Sequence, residues 1–155
     1  MPRFRFQLQA LLDFRIRKED ELKRRLGELE NIMHAEQETL AELERSRQEA
    51  AARYEELESS DVDLERARLY RGFYRWLSSR IEDQQQVISE LEDEMKIQRD
   101  RVVEAMRERK VVQSLRDSQF ERFRLDELRR EQAFLDDLAT SRHVSTQLRE
   151  DPETA

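Results

Sequence analysis

Residues 22–57 have the sequence LKRRLGELENIMHAEQETLAELERSRQEAAARYEEL. Apolar or nearly apolar side chains recur along this stretch in alternating steps of three and four residues. They are Leu22, Leu26, Leu29, Met33, Leu40, Leu43, Ala50, Tyr54 and Leu57, and the series also passes through Glu36 and Arg47. A repeat of about 3.5 residues, kept over roughly five heptads, is typical of a coiled-coil helix. An ideal helix drifts from that repeat by about 20° per heptad, so the stretch requires a partner helix wound around it.

A second series of the same kind occupies the other half of the chain. The first series extends back through Glu19, Arg15, Leu12 and Leu8. The second comprises Ala67, Tyr70, Tyr74, Leu77, Ile81, Gln84, Ile88, Leu91, Met95, Gln98, Val102, Ala105, Arg109 and Val112. Between them, residues 59–63 (SSDVD) are rich in helix-capping residues. A tight turn there makes the two helices antiparallel.

The predicted fold is therefore all-α, a long antiparallel two-helix coiled coil, or helical hairpin. We expect one domain over residues 1–155, with helix 1 at about 4–58, a turn at 59–62, helix 2 at about 63–147 and a polar tail at 148–155. The composition agrees, since 42% of the residues are charged and 37% hydrophobic. That is too polar for a thick core, whereas a coiled coil buries only about two positions in seven. Two glycines and two prolines are too few for the turns of a globular enzyme.

Antiparallel pairing through a turn at 59–62 predicts a register. Leu57 should meet Leu64 and Ala67, Leu40 should meet Ile81, Leu29 should meet Met95, and Leu12 should meet Val112. Polar positions also coincide, with Glu36 opposite Gln84 and Arg47 opposite Tyr74. In this register about 28 residues of the second helix, roughly 40 Å, extend beyond the first. Because an unpacked helix is marginal in water, we expect the chain beyond about residue 120 to fray or self-associate in isolation.

Several classes of function lack the residues that they need. There is no cysteine, which rules out thiolate metal sites and disulfides. His34 and His143 are the only histidines, and both lie among charged residues, as surface histidines do. There is no glycine-rich phosphate loop. We expect no catalytic, cofactor-binding or metal-binding residue and no enzyme activity. A net charge of −7 disfavours nucleic acid, and no apolar run is long enough for a signal peptide or direct membrane insertion.

The N-terminal part of the first helix is apolar on more than one face. Leu11, Phe14 and Ile16 lie off the series, and arginines surround them. Three interpretations are open: further helices of this chain cover the surface, it enters a socket on another protein, or it lies on anionic lipid. Exposed apolar patches usually mark interaction sites.

A separate stripe is formed by Leu69, Phe73 and Trp76, which are spaced by four and three residues. It is rotated away from the series that contains Tyr70, Tyr74 and Leu77. One interpretation is a partner-binding site, since large exposed aromatic residues are typical interface anchors. The other is that Phe73 folds against the first helix near Ala50 and leaves only Trp76 exposed.

Both ends of the chain resemble one family. The opening carries Phe4-Arg5-Phe6, Leu8, Leu11, Leu12 and Arg15 before a glutamate-rich helix. The distal part carries Arg109-Lys110, Leu115, Phe123, Glu131-Gln132 and Asp136-Asp137. In these motifs and in its length the chain resembles the FliJ family, the soluble stalk-like component of the bacterial flagellar type III export apparatus. The resemblance covers essentially the whole chain.

The resemblance implies a fold, partners and a location. Members form an antiparallel coiled coil similar to the central stalk of rotary ATPases, and bind the hexameric export ATPase, the cytoplasmic domain of the export gate and export chaperones. The expected location is the cytoplasm, at the inner face of the inner membrane through the export apparatus. The alternatives are the equivalent stalk of a virulence type III secretion system, or a structural coiled-coil scaffold. A scaffold would need a seam and no special ends.

The resemblance also implies two sites. The ATPase-binding end would be where both termini gather, and its residues are Phe4, Phe6, Leu8, Leu11, Leu12, Phe14, Phe120, Phe123, Leu128 and Phe134. The gate-binding patch would lie toward the hairpin turn, where Leu43, Phe73 and Leu77 fall at matching places. The stripe adds Leu69 and Trp76 to that patch.

Overall fold

The computed structural model describes residues 3–59 and 64–150, with side chains described up to residue 143. Helix α1 spans Gln9–Ser59 and helix α2 spans Leu64–Glu150. The described residues contain no strand, and the prediction of an all-α fold with two long packed helices is confirmed. Of the predicted turn at 59–62, Ser59 is the last residue of α1, and the other three residues lie outside the described ranges.

The chain divides into two compact units. The central unit is Ile16–Met106, and the terminal unit combines Met1–Arg15 with Arg107–Ala155. Within each unit a part of α1 packs on a part of α2. Whether the two units behave as the predicted single domain stays a prediction.

In the central unit the apolar series form the core. Leu29, Met33 and Met95 make a buried cluster, and Ile88 and Leu91 pack against it. The contact of Leu29 with Met95 has the predicted register. Ala50, Ala67, Leu77, Ile81, Val102 and Ala105 are also buried. Knobs at every third and fourth residue of both helices thus form one narrow seam.

Polar residues of the seam are paired across it. The Gln84 side-chain amide donates to the backbone carbonyl of Glu36 (3.0 Å) and also to the Glu36 carboxylate. Gln98 is only 4% exposed, and its amide donates to the backbone carbonyl of Leu22 at 3.0 Å. Burying an amide is costly unless it is hydrogen-bonded. A shifted register in which either glutamine lost the acceptor opposite it would therefore be less stable.

One charged seam residue is satisfied along its own helix. Glu19 is buried, and its carboxylate lies 2.6 Å from the ammonium of Lys23, one turn further on. The exposed Lys23 keeps its charge near water while it neutralises the buried carboxylate. In the terminal unit Arg15 pairs with Glu108 across the two helices, again in the predicted register.

Three predicted seam residues are exposed instead. Leu64 is the first residue of α2. Of the two residues predicted to meet Leu57, only Ala67 is buried. Leu8 precedes α1 and has left the helical repeat. Tyr74 is also exposed, which suits a phenol whose hydroxyl end prefers water.

The start of α1 differs from the prediction. Helix 1 was expected from about residue 4, but α1 begins at Gln9, and residues 3–6 are neither helix nor strand. In a helix, residues two apart point roughly 200° away from each other, so Phe4 and Phe6 could not both turn inward. In the structure Phe6 is buried and the ring of Phe4 packs on two rings of α2. Burial of Phe6 together with packing of Phe4 on α2 favours the non-helical start.

Helix α2 continues to Glu150, three residues beyond the predicted end at 147. From residue 124 to residue 143 every side chain except Glu127 is exposed. The predicted overhang is therefore present, and nothing in the described chain packs along it. Its predicted fraying in isolation stays a prediction.

The register is tested by disulfide formation in the cysteine-free chain. Leu40→Cys with Ile81→Cys should crosslink readily under mild oxidation, because a disulfide requires Cα atoms within about 7 Å. Leu40→Cys with Met95→Cys is the matched control, since Met95 lies roughly 21 Å further along α2. Non-reducing electrophoresis with intact mass measurement reads out the monomeric crosslink. A crosslink in the control without one in the first pair would show that the register is wrong.

Candidate functional site

The clearest exposed apolar surface of the central unit is the aromatic stripe, defined as Leu69, Phe73 and Trp76. Their exposed fractions are 72%, 45% and 55%. The rings of Phe73 and Trp76 stack, with centroids 5.8 Å apart and planes inclined by 13°. The alternative interpretation, in which only Trp76 is exposed, disagrees with the 45% exposure of Phe73. Stacking orders the two rings before any partner arrives, which lowers the entropic cost of binding.

The helical repeat explains why the stripe stays outside the core. At about 100° per residue, it is rotated by roughly 100° from the seam that contains Ala67, Leu77 and Ile81. A single partner helix covers one such seam. The aromatic stripe is therefore surplus to what the hairpin buries.

The other two residues of the predicted gate-binding patch are placed differently. Leu77 is 2% exposed and belongs to the core, and Leu43 is half-buried. Leu77 cannot touch a partner without opening the seam, so its contribution is structural. The predicted patch thus contains three exposed residues that lie next to a structural one.

Sequence reasoning missed an arginine beside the stripe. Arg66, Leu69, Tyr70 and Phe73 line an open groove of about 320 Å³. Residues 64–80 carry five arginines and a single acid, Glu65. The spacing could have revealed it, because Arg66 stands three residues before Leu69.

The ten residues predicted for the ATPase-binding end fall into two groups. Phe6 and Leu12 are buried, and Phe4 and Phe123 are half-buried. Leu8, Leu11, Phe14, Phe120, Leu128 and Phe134 are exposed. The first group holds the terminal unit together, and the second leaves apolar surface open.

A small aromatic cluster fixes the N-terminal arm in the terminal unit. The rings of Phe4 and Phe120 form an edge-to-face pair with centroids 5.3 Å apart, and the ring of Phe4 also lies 5.7 Å from that of Phe123. Such aromatic pairs contribute about 0.5–1.5 kcal/mol each beyond their buried area. The arm is therefore held by packing and needs no helix of its own.

The unpacked part of α2 carries its own local support. Arg124 pairs with Glu121 at 3.0 Å, Arg130 with Glu127 at 2.8 Å, and Arg129 with Asp126 at 3.5 Å. In each pair the acid is three residues before the arginine. Exposed pairs of this kind contribute only about 0.2–0.5 kcal/mol each. They favour helix locally but do not replace packing.

Other kinds of site find no support in the described ranges. The described side chains, those of residues 3–59 and 64–143, include no group of three or more that could hold a metal ion. His34 is exposed, with its Nδ1 3.6 Å from a Glu38 carboxylate oxygen. In that same part of the chain, no helix has the length and hydropathy of a membrane span.

One of the comparisons with known proteins identifies a family. The model of the flagellar FliJ proteins matches residues 4–147. The chain belongs to the FliJ family. No individual curated protein and no solved structure matches it.

Membership of the FliJ family implies a component of the flagellar export apparatus. The family is a non-catalytic part of that apparatus. The matched region includes almost all described residues, so both exposed surfaces belong to it. In a FliJ protein, two apolar surfaces that the hairpin leaves uncovered are candidates for contacts with other export components.

Two leucines of α2 separate structural from surface roles. Leu77→Ala should lower the free energy of unfolding by about 2–5 kcal/mol, because it opens a cavity in the seam. Leu69→Ala removes the same atoms from an exposed position and should change it by less than about 0.5 kcal/mol. Urea unfolding followed by circular dichroism measures both. Equal effects of the two substitutions would mean that the stripe is part of the core.

Proposed function

We propose that this FliJ protein is a stalk-like component that binds two partners of the export apparatus. The terminal unit engages the hexameric export ATPase, and the aromatic stripe engages the cytoplasmic domain of the export gate. The observation that carries the proposal is that each of the two units has apolar surface that the pairing of α1 with α2 leaves uncovered. Surface of that kind usually marks a contact with another protein.

The terminal unit supports the ATPase contact through its composition. Leu8, Leu11 and Phe14 present apolar side chains close to the N-terminus, and Leu128 and Phe134 do so on α2. Arg3 and Arg5 lie in the same part of the sequence and are exposed. An apolar patch with arginines around it resembles a protein-protein interface, in which arginine and aromatic residues are enriched.

The buried members of the predicted site have a supporting role. Phe6 and Leu12 pack inside the terminal unit, and Phe4 clamps the arm on Phe120 and Phe123. They hold the N-terminal arm in place without meeting the partner themselves. Preorganisation of this kind reduces the ordering cost of binding.

The aromatic stripe supports the gate contact. Interfaces take most of their binding free energy from a few tryptophan, tyrosine and arginine residues. Trp76 and Phe73 are exposed and stacked, and Phe73 lines a groove together with Arg66. We assign them as anchors, with Leu69 extending the apolar area and Leu43 at the margin.

Membership of the family supports a proposed location and further partners. The protein would lie in the cytoplasm, at the inner face of the inner membrane through its two partners. Export chaperones are a further class of partner, with no residue assigned to them. The match is to a flagellar family, which favours the flagellar stalk over the virulence stalk. A structural scaffold would have no use for two uncovered apolar surfaces.

The ATPase contact is tested by hydrogen exchange. Alone, most of residues 120–140 should exchange quickly, because α2 has no packing partner beyond Phe123 and local ion pairs add little. With the purified export ATPase they should become protected, while residues 80–105 change little. The central segment is the internal control for a general effect. Protection of residues 120–140 equal to that of the centre in a proven monomer, or no gain with the ATPase, would contradict the proposal.

A further inference from the structure

The aromatic stripe has an arginine beyond each of its two ends on α2. Arg66, Leu69, Phe73, Trp76 and Arg80 follow one another in steps of three, four, three and four residues. This is the spacing of the seam itself, so the five side chains form a second row on α2. All five are exposed. An arginine stands at each end of three large apolar side chains.

The two arginines lie at a defined separation. Fourteen residues of helix place their Cα atoms roughly 21 Å apart, four turns of helix. Arg66 lines the groove together with Leu69 and Phe73. Arg80 lies 3.9 Å from Asp83 in an exposed pair, a contact that is weak enough to exchange for a better one.

We propose that the row receives an acidic amphipathic helix of the partner. Its apolar side chains would pack on Leu69, Phe73 and Trp76, and its carboxylates would meet Arg66 and Arg80. The planar guanidinium matches a carboxylate in a two-point hydrogen bond, which fixes orientation as well as charge. This inference rests on the proposed gate contact and specifies the chemistry of the gate segment that makes it.

The spacing of the row favours a helix as the occupant. A partner helix laid along α2 repeats at the same three-four interval, so acidic residues about four turns apart would reach both arginines at once. Three apolar layers between two charged ends also set the register of such a pair, as flanking charges do in coiled coils.

An anionic membrane is a poorer match to the same surface. Lipid binding needs basic residues along the flanks of the apolar stripe, where they can reach the headgroups. On α2, Glu65 and Asp83 lie on one flank of the row, roughly 60° from its centre. The facing part of α1, residues 44–59, carries five glutamates and three arginines. An anionic surface would be repelled there, whereas a helix touches only the row.

Charge-neutral substitutions in two matched pairs test the proposal. Arg66→Gln with Arg80→Gln removes the two charges on the row. Arg68→Gln with Arg75→Gln removes two exposed charges of the same segment on the far side of the helix. Binding of the full chain to the purified cytoplasmic gate domain is measured by calorimetry at about 0.05 and 0.3 M salt. Interactions between exposed charges are screened weakly at the lower concentration and strongly at the higher one. Phe73→Ala with Trp76→Ala is the third variant, and melting curves verify its fold.

The row variant should weaken gate binding at least tenfold and flatten its salt dependence, because desolvated charge pairs lose more than exposed ones. The far-side variant should change it by less than about threefold, as surface charges do. Equal losses in both pairs would show a diffuse electrostatic attraction and overturn the proposal. Weaker gate binding in the aromatic variant alone would support the gate contact but contradict the proposal that the gate segment is acidic. No loss in the aromatic variant would refute the gate contact itself.

Vesicles of anionic phospholipid form the last arm. The chain should not bind them appreciably without the gate domain. Binding to these vesicles that the row variant abolishes and the far-side variant retains would assign the row to lipid and overturn the proposal.

Discussion

The structure depends on one constraint, the 3.5-residue repeat that both helices keep in a single register. Apolar side chains such as Leu29 and Met95 supply the buried surface of the seam. Other apolar residues of similar size could supply the same buried surface, so these side chains do not define the register. Register comes from the polar positions. The amides of Gln84 and Gln98 donate hydrogen bonds to acceptors on α1 instead of to water. A shifted register would leave these amides without an acceptor opposite them. The seam therefore supplies stability, and its polar members supply uniqueness.

A narrow seam separates stability from binding. Two positions in seven hold the helices together, about the minimum for a coiled coil, and the remaining surface is free to vary with function. Leu77 and Leu69 illustrate this on one helix, two turns apart, with one buried and the other exposed. The same division holds in the terminal unit, where Leu12 is buried and Leu11 exposed. Partners can therefore be engaged without unpacking the hairpin.

Periodicity predicted most of the fold because a coiled coil has one repeating contact. The register followed from the turn and the two series, and the Gln84–Glu36 contact has it. The start of α1 could not be predicted this way, since the arm is decided by packing of Phe4 on Phe120 and Phe123, a contact between distant parts of the sequence. For the site, the phase of the repeat showed that Leu69, Phe73 and Trp76 lie off the seam. Arg66 and Arg80 were missed because a search for apolar spacing passes over arginine, and partner identity came from family motifs rather than from physics.

We propose that the two units present two protein-binding surfaces, and this proposal requires that the surfaces act independently. It is tested most directly by mixing the full chain with the purified export ATPase and the cytoplasmic gate domain and weighing the complexes by mass photometry. We expect a ternary complex that contains both partners, and Phe73→Ala with Trp76→Ala should release the gate domain while the ATPase stays bound. Mutually exclusive binding of the two partners, or loss of both from that one variant, would contradict it.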